Sequence, residues 1–297
     1  MSQLKKTLVG SFLVAAGLLV VACSNDDMPE GSQPSSHPSE RRVTMSLTRA
    51  SADSFATAGI REVRFFAYVK QNKRDSLVRD TTLNIGCGVF SVGLPLGESI
   101  RAFIVANAQG IEKTDKLDSV SLTLDPSKEA DIWLSNVASF ATDKTVYEVS
   151  FNMRRIISRA VFQPEETPAS IAGSGNFDNI EVTFSNIASS YRVSGDSAVA
   201  LTSVALTANS GNNYTVSVNS FPTRADIDAT AGFSLLFRKG TEEVNRTPAV
   251  IDAGFNYTAS HIYHVVVPVT DNAFVKTAWT RGSNIVIPFR IADTLFY

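Results

Sequence analysis

Cys23 is the residue of this 297-residue chain with the clearest chemistry ahead of it. It closes the tetrapeptide Val20-Val21-Ala22-Cys23, at the end of an apolar run from Leu8 to Val21 that starts just after Lys5 and Lys6. A basic start, a short apolar stretch and a small residue before a cysteine form the pattern of a bacterial lipobox. Such a run is shorter than a membrane-spanning helix requires, and its flanks are those of a processed signal. The predicted chemistry is cleavage after Ala22 and a thioether between Cys23 Sγ and a diacylglycerol, with a third acyl chain such as palmitate on the new amine. Burial contributes roughly 0.8 kcal/mol per CH2, so two or more chains hold a protein on a membrane where one is marginal. The competing reading is a plain cleaved signal with an incidental cysteine.

Other side chains with chemical potential are few. After Cys23 only Cys87 remains, and one thiol cannot form an internal disulfide, so stability must come from burial. Cys87 sits in the apolar stretch Ile85-Gly86-Cys87-Gly88-Val89, the setting of a buried structural cysteine. Of the three histidines, His37 precedes the folded part, while His261 and His264 share a strand-like segment. Residues i and i+3 on a strand point to opposite faces, so this pair makes a poor metal clamp. Glu165 and Glu166 are adjacent in a loop-like stretch and read as a solvated charge pair. No nucleophile elbow, phosphate loop, dinucleotide fingerprint, HExxH or paired-cysteine motif occurs. With no acid, base or nucleophile set, the expectation is a protein that is not an enzyme, with no cofactor, no metal and only the covalent lipid on Cys23. Trp133 and Trp279 are the only tryptophans, and both lie in apolar strand-like settings.

The elements that surround these residues are strands. Cleavage at Ala22 leaves about 275 residues, enough for two domains of ordinary size. The full chain carries 27 basic and 29 acidic side chains, and removal of the signal takes Lys5 and Lys6 with it. The absence of a basic stripe argues against nucleic acid as a partner. Residues 23–40 are rich in Ser, Pro, Gly and Asp and read as a flexible tether. From Arg41 onward, apolar residues alternate with polar ones: Val43, Met45 and Leu47; Val63, Phe65, Ala67 and Val69; Ile100, Ala102, Ile104 and Ala106. A second set is expected from Tyr147, Val149, Phe151 and Met153 onward, through Ile180 to Phe184, Tyr214 to Val218, Phe233 to Phe237 and His261 to Val269. Period-two patterning broken by Gly, Pro, Asn and Asp predicts an all-β protein of two tandem Greek-key β-sandwich domains, residues 41–140 and 141–297, behind a signal at 1–22. Helical turns are expected only near Ser51 to Ala58 and Ser135 to Phe140, and Gln163 to Asn176 reads as an exposed loop.

These features together resemble the FimB/Mfa2 fimbrial anchor family of Bacteroidetes. The resemblance is carried by the lipobox and by Ser24-Asn25-Asp26-Asp27, which is similar to the acidic export tag of Bacteroidetes surface lipoproteins. Further carriers are Arg42-Val43-Thr44-Met45 at the start of the first strand and Val149-Ser150-Phe151-Asn152-Met153-Arg154-Arg155-Ile156. Ile180 to Ile187, a strand reaching an Asn-containing turn, and then Ser190-Tyr191-Arg192-Val193-Ser194-Gly195-Asp196 complete the pattern. The resemblance implies two transthyretin-like sandwiches fixed to the outer membrane by lipid and facing outward. It also implies contact with fimbrial subunits by strand addition, in which one subunit's terminal strand fills a groove in its neighbour. In shaft and tip subunits of such systems an arginine-specific protease frees the groove. Arg41, Arg42 and Arg49 are therefore the expected processing sites, although a cut there would detach an anchor from its lipid. The tail from Asn284 to Tyr297 is either the last core strand or an exchangeable one, and Pro288 places it at an edge or bulge.

Three function classes follow. The leading one is a lipid-anchored outer-membrane protein that anchors a fimbria (pilus) or forms part of it in cell adhesion. One alternative is a tip or shaft subunit matured near Arg42. Another is a glycan-binding surface lipoprotein with a carbohydrate or host-surface ligand, and a hydrolase comes last. Asp75-Ser76-Leu77, Asp118-Ser119-Val120, Asp196-Ser197-Ala198 and Asp293-Thr294-Leu295 are similar to acceptor tripeptides for O-glycosylation in exported Bacteroidetes proteins, and ordinary turn chemistry explains them equally well.

Overall fold

The computed structural model describes residues 40–49, 60–71, 74–85, 88–143, 148–226, 228–247, 249–270 and 290–295. Cys23, Cys87, Trp279, Pro288 and the 51–58 segment lie outside the described residues. The fold is all-β. The chain enters through β1 (Glu40–Arg49) and continues into β2 (Glu62–Gln71), β3 (Arg74–Asn84), β4 (Val89–Pro95) and β5 (Ser99–Ala106). It then leaves that sheet for β6 (Gly110–Glu112) and β7 (Ser121–Thr123). It returns as β8 (Trp133–Ser135), β9 (Ala138–Ala141) and β10 (Glu148–Arg155). The first sheet has the order β3-β2-β5-β8-β10-β1-β4, with β9 paired to β5.

The rest of the chain builds two further sheets. β11 (Ser158–Pro164) is followed by a short helix α1 (Pro168–Ser174), then β12 (Asn179–Arg192), β13 (Ser197–Asn209), β14 (Val216–Ser220) and β15 (Gly232–Lys239). β16 (Glu242–Arg246), β17 (Ile251–Asp252), β18 (His261–Val267) and β19 (Arg290–Leu295) complete it. The second sheet runs β16-β15-β12-β7-β6, with β13 on β12 and β17 on β15, and the third runs β14-β11-β18-β19.

Three cores follow from side-chain alternation. Val43, Met45, Phe65, Val92, Ile104 and Phe151 meet inside the first sheet, and Phe162, Ile180, Phe184, Phe233, Phe237 and Val265 fill the space between the second and third. A third core gathers Phe66, Tyr68, Phe103 and Val105 with Leu122, Ile156, Tyr191 and Phe221. β2 and β5 are therefore buried on both faces, which is why Val63 to Val69 and Ile100 to Ala106 contain unbroken apolar stretches rather than a clean alternation. Phe66 stacks on Phe103 at 4.9 Å, and Tyr191 on Phe221 at 5.3 Å.

Several local expectations change. The strand at 148–155, expected to open the second set, lies in the first sheet, parallel to β1 and antiparallel to β8. The segment from Ser135 to Phe140 holds no helical turn: Ser135 ends β8, and after Asn136 and Val137 the chain enters β9, which pairs with β5. The loop from Gln163 to Asn176 contains α1, with the Thr167 side chain accepting from Ser170 N, Pro168 in the first turn and Ile171 buried. Thr167-Pro168 was a readable start signal. Asn186 does not turn the chain. It sits at φ 59° inside β12, at a bulge against β13. β13 has no counterpart among the expected strands, because its apolar residues fall on both faces. Truncating Phe66 to Ala should lower stability by about 3–5 kcal/mol, read from urea denaturation, since the residue is wholly buried in the shared core.

Candidate functional site

The described residues contain no group of three or more His, Cys, Asp or Glu positioned to hold a metal. The features that bear on function are strands, and the first of them is β1. Its alternation sends Val43, Met45 and Leu47 inward at 1%, 0% and 8% exposure. Thr44, Ser46 and Thr48 face outward, and the Ser46 hydroxyl lies 2.9 Å from that of Ser150.

β1 is flanked on both sides. It pairs antiparallel with β4, from Glu40 opposite Pro95 to Ser46 opposite Val89, and parallel with β10, from Thr44 opposite Glu148 to Arg49 opposite Met153. Burial of three apolar side chains contributes about 1.5–3 kcal/mol each, so β1 holds an amount comparable to the net stability of an ordinary domain. An empty slot between β4 and β10 would expose that surface and leave two rows of backbone donors and acceptors unpaired.

The expected processing residues fall at two different places on this strand. Arg41 and Arg42 lie opposite Leu94 and Gly93, before the pairing with β10 begins. Arg42 is exposed, and Arg41 makes a long 3.5 Å contact to the carbonyl of Thr142. Arg49 is the last residue of β1. A cut after Arg41 or Arg42 would leave Val43 to Arg49 seated in the sheet, whereas a cut after Arg49 would sever the whole strand from the rest of the fold.

At the other terminus, β19 is an edge strand paired antiparallel to β18, from His261 opposite Leu295 to Val266 opposite Arg290. His261 stacks on Tyr263 with ring centroids 6.0 Å apart. The end of β18 is held by Glu166, which is not a freely solvated carboxylate. It accepts from the backbone N–H groups of Val269 and Thr270 at 3.0 Å each and from the Thr270 hydroxyl at 2.7 Å. Partial burial would raise its pKa, but these donors outweigh it and hold the carboxyl below its ordinary value.

One charged contact ties the first sheet to the second, and another braces β10 within the first sheet. Arg154 of β10 and the Tyr191 hydroxyl of β12 both donate to Asp196 Oδ1, at the turn between β12 and β13. Burial and that carboxylate together push the Tyr191 phenol well above its usual range. Arg155 binds Asp131 through two nitrogens, at 2.7 and 3.2 Å, and lies over the Trp133 ring. Trp133 is 5% exposed, so it offers no stacking face for a sugar. Of the acceptor-like tripeptides, Asp75-Ser76-Leu77 and Asp118-Ser119-Val120 come together, because Arg101 contacts both aspartates at 3.5 and 3.3 Å.

No family model matches the chain, and no curated protein matches it. Among solved structures the fold is similar to a candidate polysaccharide-binding protein of Bacteroides thetaiotaomicron. That likeness has a TM-score of 0.55 and 13% identity, over 77% of this chain and 91% of the other. It is also similar to a candidate adhesin of Bacteroides ovatus (TM-score 0.54, 10% identity, 77% and 90% covered). A candidate adhesin of Bacteroides thetaiotaomicron gives 0.51, 9%, 77% and 92%. At these identities the likeness is one of fold, and none of the three is described as an enzyme.

Glu166 yields a test with a defined sign. A folded-state pKa below the unfolded one contributes stability that is present above the unfolded value, near 4.3, and is lost as pH falls through the folded value. The protection of the Val269 and Thr270 amides, that is their exchange relative to the intrinsic rate at each pH, should therefore fall on acidification through that window. Glu166→Ala should lower it at neutral pH, at a stability cost on the order of 1–2 kcal/mol.

Proposed function

We propose that this chain is a non-enzymatic surface lipoprotein of a fimbria-like adhesive assembly, held on the outer membrane by acyl chains on Cys23. The observation that carries the reading is the position of β1. The strand that directly follows the proposed tether is an interior strand of the first sheet, with Val43, Met45 and Leu47 in its core. A pull on the tether is then carried along the strand axis into the hydrogen bonds with β4 and β10 together. A flexible segment joined to a frayed edge could not carry load in this way. The lipobox pattern and the similarity in fold to candidate adhesins support the same reading.

Contacts with other subunits follow from strands, since the described residues offer backbone edges and flat β surfaces. An anchor requires β1 to remain continuous with Cys23. Processing after Arg41 or Arg42 would free the protein from the membrane without opening a slot. Processing after Arg49 would make β1 displaceable and convert the first sheet into an acceptor for a partner's strand. The two-sided pairing of β1 favours the uncut anchor over a matured tip or shaft subunit.

Membrane fractionation tests the reading. The native chain should enter the outer-membrane fraction, and Cys23→Ala should move at least about tenfold toward the soluble periplasmic fraction, in line with the loss of the acyl chains. Mass spectrometry of the mature N-terminus should find acylated Cys23. Equal partitioning of the two forms, or a mature chain beginning after Arg42 or Arg49, would defeat the anchor reading.

A further inference from the structure

β13 is a long edge whose only protection is irregular pairing. It pairs with β12 from Ser197 to Asn209, with register shifts beside Asn186 and Ser190 and a bulge at Val199, and among the described residues no strand pairs with its other side. Its 13 residues, Ser-Ala-Val-Ala-Leu-Thr-Ser-Val-Ala-Leu-Thr-Ala-Asn, contain no charge, no proline and no glycine. Natural sheets blunt such edges with charges, prolines, bulges or shortness. Most other edges follow that rule, and β14, the uncharged edge of the third sheet, has only five residues. β3 carries Arg79 and Asp80, β16 carries Glu242 and Glu243, β19 carries Arg290 and Asp293, β4 ends on Pro95, and β6 has three residues. On β13, Val199 and Leu201 remain 48% and 39% exposed.

We propose that this edge pairs with β13 of a second copy of the same chain, antiparallel about a two-fold axis at Ser203. The choice of occupant rests on the sequence of the strand itself. Val199-Ala200-Leu201-Thr202 and Val204-Ala205-Leu206-Thr207 are the same tetrapeptide on either side of Ser203. The two-fold sets Val199 opposite Thr207 and Thr202 opposite Val204, which are β-branched pairs. It sets Ala200 opposite Leu206 and Leu201 opposite Ala205, which are small against large. Each cross-strand pair is thus filled evenly, the arrangement that stabilises neighbouring strands. A two-fold contact presents the same patch on both partners, and an uncharged strand places no like charges opposite each other. Parity is kept, because residues directly opposite share a face. The exposed set Leu201, Ser203, Ala205 and Thr207 then forms one strip on the outer face of a sheet that runs through both copies, with the bulged Val199 at its end.

The proposal does not depend on the lipid or on a fimbria. The full-length chain in a mild non-ionic detergent should sediment with the mass of two chains. Leu201→Lys combined with Ala205→Lys places charges on exposed positions and should halve that mass while leaving the circular dichroism spectrum unchanged. A second measurement guards against a variant that folds poorly. Ser203→Cys should form a disulfide-linked dimer on mild oxidation, whereas Thr207→Cys, far from its own symmetry mate, should not exceed the background of the unmodified chain. A single-chain mass for the native protein, an open-ended series of larger masses, a dimer that survives the double lysine variant, or equal cross-linking of the two cysteines would each overturn it.

Discussion

The structure depends on the pairing of β1 between β4 and β10. A strand in the interior of a sheet has both rows of backbone groups satisfied, and it cannot be withdrawn without orphaning its own groups and those of both neighbours. β4 is otherwise an edge of the first sheet, and β10 is otherwise supported on one side only, by β8. β1 therefore closes the sheet over Phe65, Ile104 and Phe151. Because β10 runs parallel to β1 and leads through Ile156 into β11, the same pairing connects the first sheet to the third core and to the sheets beyond it.

That third core makes the halves of the chain dependent on each other. β2 and β5 contribute one face to the first core and the other to the joint, while β6 and β7, which lie early in the chain, pair into the second sheet beside β12. Arg154 of β10 reaches Asp196, where β12 turns into β13, so a charged contact reinforces the apolar joint. Side chains with short, specific roles of this kind, Glu166 among them, hold strand ends in place.

Much of this was legible in the residues. The inward sets Val63, Phe65, Ala67 and Val69, and Ile100, Ala102, Ile104 and Ala106, recur at every second position, and all-β architecture follows from them. What escaped was long-range pairing. Nothing local in Glu148 to Arg155 shows that it joins the first sheet, because its alternation fits either sheet equally well, and the parallel partner lies about a hundred residues earlier. β13 escaped for a different reason: apolar residues at both parities erase the alternation, and the bulges at Asn186 and Ser190 of β12 shift the register midway. Glu166 looked solvated because the backbone amides it accepts from lie about a hundred residues downstream. At the candidate site, the residue types around Arg41, Arg42 and Arg49 were visible, but not the fact that they bracket an interior strand.

The position of β1 also separates the two outcomes that the proposed function leaves open. Strand exchange needs a slot whose occupant can leave, and departure costs the burial of Val43, Met45 and Leu47 together with two ladders of hydrogen bonds. While β1 remains covalently continuous with the chain on both sides, any invading strand competes with an intramolecular one at high effective concentration and loses. Severing the chain after Arg49 removes that advantage, because the strand must then hold by its pairing alone. Severing it after Arg42 does not, since Val43 to Arg49 stay joined to the fold. In the proposed function, retention on the membrane and readiness to accept a strand would therefore be set against each other by one short segment, and the bond at which the chain is cut, if it is cut, would decide between them.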